Sequence, residues 1–314
     1  MTDATGKRLA MVTNSEANCH QECQRKRQFR YVELRRPLVD AKALTLGTVF
    51  HAGMEADATG VDRWLAADDP HEQAMLDAML LVHKERYDKL EYLHVEHEMQ
   101  GALTNPETGA ASRTYRYGGK VDGIVKLNGE KWVIDHKTTS FDVSPGSDHL
   151  EQARMAPQGY RYVALARANG IDVAGFIMNL VRKPTIKPLK ATPLEKRRVN
   201  KDGSFHAKTR FEDETPRAYM KRCVEKMSMD PDSYLARVTV RVTDADVREA
   251  QADLWQIVKS MMDSDRLGIY PRNSLSCFKW GRPCEYWPVC TGQAGLDDPM
   301  LYRTATKSHE ELAS

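Results

Sequence analysis

Two aspartates and a lysine carry the most chemistry legible in this chain. Residues 117–139 read Y-G-G-K-V-D-G-I-V-K-L-N-G-E-K-W-V-I-D-H-K-T-T. Asp122 and Asp135 each interrupt an apolar, strand-like run, where a charge is costly unless it is used. Asn128-Gly129 between them is a hairpin signal, and Lys137 follows the second aspartate by two. Carboxylates converging from neighbouring strands can hold one or two hard divalent cations, Mg²⁺ or Mn²⁺. Such ions neutralise phosphoryl charge and activate water, the needs of phosphodiester hydrolysis. Side chains repeat with period two along a strand, so Lys137 shares a face with Asp135. There it can orient the water and steady the charge of the transition state. The backbone carbonyl of His136, between the two, is a natural additional ligand. D-x-K alone is common, and an ordinary hairpin with surface charges reads the same way.

Other residues could complete the site. His51 follows Leu46-Gly47-Thr48-Val49-Phe50, so a helix can present its imidazole as a softer metal ligand or simply as a core residue. Glu55 lies one turn later on the same face. Glu96 and Glu98, just upstream of the aspartates, could add a carboxylate. Gln158 and Tyr162 are spaced i, i+4 and could hold the lysine, a water or a nucleotide.

The elements that must position these groups follow from periodicity. A short helix is expected over residues 15–31 after a loosely ordered start, and another from Leu46 to about Leu65 through Gly60. Glu72–Tyr87 carries a helical apolar stripe. Glu91–Met99 alternates like a strand, followed by a loop. Tyr115–Leu127 and Lys131–Ile134 form the hairpin that bears the aspartates. Phe141–His149 is a polar loop, Pro157–Ala168 a helix and Val173–Leu180 a short apolar strand. This order predicts an α/β core with a mixed sheet. Residues 183–213 are basic and proline-containing, an inserted hairpin or arm. Thr215-Pro216 opens a helix with cap and N1 proline. Tyr234–Val242 reads as a strand and Asp244–Met262 as an amphipathic helix. Three units are expected: residues 1–182, the core; 183–270, arm, helices and strand packed on it; and 271–314, a cysteine-rich segment and tail.

Composition sets the bounds. The 314 residues are 41% hydrophobic and 29% charged, with a net charge of +2. No apolar run reaches the roughly 20 residues a membrane helix needs, and no secretory signal opens the chain, so a cytoplasmic protein with no membrane partner is expected. Near-neutrality is compatible with nucleic acid if cations cluster. Arg25, Lys26, Arg27, Arg30, Arg35 and Arg36 fall within twelve residues, opposed only by Glu33, and could contact backbone phosphates. A second basic group runs from Lys183 to Lys201. There is no phosphate-binding G-x-x-x-x-G-K-[ST] loop of a motor.

Six cysteines in such a chain argue for metal over disulfides. Cys277, Cys284 and Cys290 crowd among Phe278, Trp280, Tyr286 and Trp287. Three thiolates need a fourth ligand, Cys23 or Cys19, and soft sulfur selects an iron–sulfur cluster or zinc.

In order along the chain, these motifs resemble the RecB-type branch of the PD-(D/E)xK nuclease superfamily, found in helicase–nucleases, CRISPR-associated nucleases and phage exonucleases. The matching residues are Cys23 with its basic–aromatic run to Tyr31, Gly47 with His51 and Glu55, Gly119 with Asp122, Asp135-His136-Lys137 with Thr138, and Gln158 with Tyr162. Val121 stands where the family's proline would be, and residues 183–270 match no motif. The resemblance implies a restriction-endonuclease-like core, a central mixed sheet flanked by helices, with a C-terminal cysteine-rich segment. It implies a Mg²⁺- or Mn²⁺-dependent deoxyribonuclease, an exonuclease, of recombination, repair or phage DNA processing. Lys137, Asp122, Asp135, Gln158 and Tyr162 would be catalytic, and His51, Asp122, Asp135 and His136 would hold metal. As in iron–sulfur nucleases of the CRISPR-associated and AddB type, Cys23, Cys277, Cys284 and Cys290 would hold a 4Fe-4S cluster, with Cys19 and Cys223 spectators and zinc the runner-up. DNA is the implied substrate and a recombination or single-strand annealing protein the implied partner. The alternatives are an endonuclease of the same fold and a non-catalytic DNA-binding subunit.

Overall fold

Asn128 and Gly129 both adopt left-handed φ, 52° and 82°. That is what a two-residue type I′ turn requires, because its twist matches that of the flanking strands. The turn joins β4 (Ala111–Leu127) to β5 (Glu130–Thr139), paired antiparallel from Leu127↔Glu130 to Gly123↔Ile134. Beyond that pair the two strands part, and the opening holds Asp122 and Asp135.

The computed structural model describes residues 9–38, 42–63, 65–279 and 281–312; Trp280 lies outside them. β3 (Glu91–Thr104) lines the other edge of β4, and β1 (Ala10–Val12) runs parallel to its first half. β6 (Gly175–Arg182) pairs parallel with β5, and β7 (Leu235–Arg241) pairs antiparallel with β6. The sheet is therefore mixed and six-stranded.

β6 shows how the sheet is covered. Phe176, Met178 and Leu180 enter one core with Val163 and Leu165 of α6 (Pro157–Ala168) and with Leu254, Val258 and Met261 of α8 (Asp244–Leu267). Val181, pointing the opposite way, packs with α3 (Lys42–Thr59), α4 (Pro70–Arg86) and α7 (Pro216–Met229). A strand buried on both faces is apolar throughout; the one amide in this run, Asn179, is wholly buried.

Local signals end the helices. Thr243 and Asp246 form a capping box on α8, and Gly268, at φ 66°, closes it. Thr215 caps α7. Several expectations are corrected. Of the start expected to be loosely ordered, residues 1–8 lie outside the described residues, and Ala10–Val12 is a strand, because three residues suffice to pair with β4. The expected single helix over 15–31 is α1 (Asn14–Glu22), α2 (Gln24–Arg27) and a π-helical turn at Gln28–Val32. α3 stops at Thr59 rather than Leu65, with Gly60 left-handed at φ 74°. The loop expected after Met99 is only the turn around Asn105–Ala110, and α5 (Asp148–Arg154) occupies the end of the polar 141–149 segment.

The two ends of the described chain meet. β2 (Arg35–Pro37) pairs with β10 (Tyr302–Thr304). Between them sit the small strands β8 (Phe278–Lys279) and β9 (Arg282–Pro283) and the one-turn α9 (Trp287–Cys290). Phe29, Tyr286 and Tyr302 form the apolar centre of this junction.

Candidate metal centre

Where β4 and β5 part, the backbone N–H of His136 loses its ladder partner. Asp122 replaces it: His136 N donates to Asp122 Oδ2 at 2.6 Å. The other oxygen, Oδ1, lies 3.3 Å from His51 Nδ1, which α3 brings to the opening. Gly47 faces β5 with room to spare, since a Cβ there would make only ordinary contact with Thr138 Oγ1, at 3.8 Å. Burial alone would raise the Asp122 carboxyl, but His51, His136 and Lys137 outweigh it and hold the group far below the usual carboxylate range. His51 shows the reciprocal effect: burial lowers it, and the Asp122 carboxylate more than restores it.

Asp135 and Lys137 share a face of β5, as period two requires. Lys137 Nζ lies 2.8 Å from Asp135 Oδ1 and 2.7 Å from Oδ2. Burial pushes the Asp135 carboxyl up; Lys137 pulls it down, and the nearby Asp122 charge pushes it up again, leaving it raised. Its Oδ2 is buried and, among the described residues, has no partner besides the Lys137 ammonium at 2.7 Å. A buried anionic oxygen in that state is suited to a cation.

Glu96 joins from β3. Among the described residues, His51, Glu96 and Asp122 are the group whose ligand atoms all lie within 4.8 Å of one another. Glu96 has φ 49°, a left-handed conformation that costs a non-glycine residue about 1 kcal/mol or more and tends to mark functional positions. Its carboxylate also meets Lys120 at 2.6 Å. Carboxylates with one imidazole form a donor set for Mg²⁺ or Mn²⁺. Glu98, two residues on, is not in this group. Glu55 and Tyr92 line the same small pocket as His51, Glu96 and Asp122.

Behind the site runs a buried chain of polar groups. His83 Nε2 of α4 lies against the Asn179 amide, 3.1 Å from Oδ1 and 2.9 Å from Nδ2. Asn179 Nδ2 donates to His136 Nδ1 at 2.9 Å, and His136 Nε2 lies 3.2 Å from Tyr92 Oη. Burial holds His136 neutral, with its pKa down at about 3, and His83 at about 4. A neutral imidazole has one donor and one acceptor nitrogen, and this arrangement uses both. Tyr92 reaches His136 by crossing Gly123, where a Cβ would lie 2.7 Å from Tyr92 Cε1. Asn179, His83 and Tyr92 were not singled out from sequence. The available signal was one amide inside the apolar run of β6.

Gln158 and Tyr162 do meet, Gln158 Nε2 donating to Tyr162 Oη at 3.0 Å. The Tyr162 ring lies over Gly119, where a Cβ would lie 2.8 Å from Cε1.

The basic run near the N-terminus is largely spent inside the protein. Arg27 is buried, bonded to Glu16 at 2.9 Å and to both oxygens of Asp265 at 2.6 and 3.0 Å. It is a structural clamp between α2 and α8, which corrects its expected contact with phosphate. Arg25 donates to the Tyr270 carbonyl, Lys26 pairs with Glu22 and Glu285, and Arg30 lies 5.9 Å from the Tyr31 ring. Arg36 is buried as well, donating to the carbonyls of Arg30 and Ser308.

The cysteines Cys23, Cys277, Cys284 and Cys290 gather at the junction of the two chain ends. Asn273 N donates to Cys23 Sγ at 3.5 Å, and Cys277 Sγ lies 3.7 Å from Asn273 O. Burial raises the Cys290 thiol, which also feels Cys23 and Cys277. Burial likewise pushes Cys284 up to about 12. They are neighbours without being a tight set: among the described residues no three sulfurs lie within 4.8 Å of one another. The junction is also held by ordinary contacts, including Tyr286 Oη to Arg35 O at 2.6 Å and Asn273 Nδ2 to Glu22 O at 2.9 Å. Cys223 is buried in the α4–α7 core and Cys19 in α1.

Comparison with known proteins agrees with this geometry. No curated protein matches the chain. A crystal structure from Eubacterium rectale, described as an exonuclease by inference, is similar at TM-score 0.51 and 11% identity, covering 97% of this chain and 93% of that one. A phage-related exonuclease from Haemophilus somnus 129PT is similar at TM-score 0.29 and 13% identity, covering 69% of this chain and 82% of that one. The first of these likenesses concerns the fold. The family model of the PD-(D/E)XK nuclease superfamily matches residues 12–291, so with Asp122, Asp135 and Lys137 gathered in the opening between β4 and β5, the chain belongs to that superfamily.

Proposed function

We propose that this protein is a divalent-metal-dependent deoxyribonuclease that degrades DNA from its ends. The carrying observation is the cluster of His51, Glu96 and Asp122, whose ligand atoms lie within 4.8 Å of one another, with the buried Asp135–Lys137 pair on the neighbouring strand. His51, Glu96, Asp122, Asp135 and the carbonyl of His136 would hold one or two ions. Bound there, Mg²⁺ or Mn²⁺ supplies charge neutralisation on the phosphoryl group and an activated water. Lys137, tethered to Asp135, presents a cationic donor on the same face, where it orients the attacking water and steadies developing negative charge. Gln158, bonded to Tyr162, would bind the nucleotide or the lysine. Action at ends is the reading that the fold-level likeness to an exonuclease favours. The site serves recombination, repair or phage DNA processing.

The test compares wild type with Asp135→Ala on end-labelled linear and closed circular DNA, with Mg²⁺, Mn²⁺ or chelator. Loss of linear but not circular DNA, abolished in the variant, is the expected result. Equal cutting of circles makes the enzyme an endonuclease. A folded wild type with no cleavage overturns the catalytic reading in favour of a DNA-binding subunit.

We also propose that Cys23, Cys277, Cys284 and Cys290 hold a 4Fe-4S cluster that adds a covalent staple to the junction. Zinc, held by the same four thiolates, is the alternative. Iron and sulfide analysis of anaerobically purified protein decides between them. Zinc in place of iron, or neither, would sink the cluster.

A further inference from the structure

The basic arm after β6 has no part in the site described so far. It leaves the sheet at the strand end that also bears the catalytic strand: Lys183 N donates to Thr139 O at 2.8 Å, two residues past Lys137. Its stem is fixed. Tyr219 Oη donates to Ile186 O at 2.8 Å, and buried Glu214 takes Leu189 N and Arg222. Its neck is closed, Thr192 N donating to Arg210 O at 2.8 Å. Beyond the neck, Val199 bridges to Phe205 around a turn at left-handed Gly203.

The enclosed residues differ from ordinary solvated surface in two respects. Residues 193–210 hold six Lys and Arg against two acidic residues, a local net charge of +4 in a chain whose total is +2. Among the described residues, Lys196, Arg198, Lys201 and Lys208 form no ion pair within the protein. The second respect is aromatic. Phe205 and Phe211 meet edge to face at 5.1 Å and stay 47% and 54% exposed. Arg197, bonded to the Thr192 carbonyl, sits 5.3 Å over the Phe211 ring. Scattered exposed side chains are ordinary, but two rings in contact and rimmed by polar groups form a small apolar patch of the kind that marks binding surfaces. Exposed rings among unpaired cations match a single nucleic-acid strand, whose bases stack while its phosphates meet the charges.

We propose that this arm binds the unpaired strand of a DNA end, stacking a base on Phe205 and Phe211 while Lys196, Arg198 and Lys201 meet the backbone. The inference rests on the nuclease reading and names how that site receives its substrate.

The test is equilibrium binding to a fluorescent 20-nucleotide single strand and to a blunt duplex of equal length, over a range of NaCl. The Asp135→Ala chain serves as parent so that cleavage does not intrude. Phe205→Ala with Phe211→Ala should weaken single-strand binding at least about fivefold, leaving its salt slope and duplex binding unchanged. Lys196→Ala, Arg198→Ala and Lys201→Ala together should lower the salt slope by about 2. Replacing residues 193–209 by two glycines, which the closed neck permits, should reproduce both losses. Urea midpoints check that each variant folds. Binding equal to parent in all variants overturns the proposal, as does equal loss on duplex. A change in molecular mass with unchanged DNA affinity also overturns it and makes the arm a contact between copies. Arm-dependent binding in a wild type that does not cleave refutes the catalytic reading and leaves the arm standing.

Discussion

Asn179 is the residue through which the buried polar chain can be cut most cleanly. It is wholly inaccessible, and its amide serves two imidazoles, His83 Nε2 at 3.1 Å and His136 Nδ1 at 2.9 Å. Asn179→Leu keeps the volume and strands both nitrogens. An unsatisfied buried polar group costs about 1–3 kcal/mol, so the pair should cost about 2–6 kcal/mol of stability. Adding His83→Leu removes one stranded group and should recover part of that loss, a coupling that a double-mutant cycle measures. Activity should fall by a different route. The backbone N–H of His136 fixes Asp122 at 2.6 Å, so a loosened His136 ring loosens a ligand. Misplacement by about 1 Å can cost 10²-fold in rate. The assays are urea unfolding and cleavage against Mn²⁺ concentration at a temperature where both proteins are folded. A variant within about 0.5 kcal/mol of wild type, with the same Mn²⁺ dependence, would refute the reasoning.

Two further predictions follow from buried charges. Burial, aided by Arg27 in the case of His20, holds His20 and His83 at about 4, below the 6.5 of an exposed imidazole. Between those values the unfolded chain takes up protons that the fold refuses. Stability should thus be full above pH 6.5, decline by up to about 1.4 kcal/mol per pH unit for each histidine down to about pH 4, and level off in this component below. Urea midpoints from pH 7.5 to 4 test it; a His83→Gln slope equal to that of wild type contradicts the assignment. Arg27→Met should cost about 3 kcal/mol, because buried Glu16 loses its arginine and keeps only His309, at 3.3 Å. The DNA salt slope of the still-folded variant should not change; a lower slope would return Arg27 to the phosphate surface.

The fold was readable where a local rule and the tertiary structure agree. Pro157–Ala168 has proline at N1 and an apolar stripe, and it is a helix over those same residues. Asn128-Gly129 specifies a turn that fixes the register of β4 and β5. Where partners are distant the sequence is silent. β1 is three residues long, and its partner, Tyr115–Tyr117, is over one hundred residues away. β2 and β10 pair across almost the whole chain. No turn residue announces either contact.

The site divides along the same line. Asp122, Asp135 and Lys137 stand out because charges interrupt apolar strands, a local contrast. Arg27 misleads because a run of cations looks alike whether it faces solvent or carboxylates; only the fold brings Glu16 and Asp265 to it. Glu96 differs from Glu98 through a left-handed backbone that aims one carboxylate at Asp122 and His51, and composition carries no trace of that turn. Asn179 is the instructive case. A buried amide in an apolar strand must find partners, so its presence in β6 already implied polar groups on the facing helix and the neighbouring strand. His83 and His136 are those groups. The physical requirement to satisfy one amide thus ties α4, β6 and the D-H-K strand into a single support for Asp122, and it makes a residue outside the pocket answerable for the geometry inside it.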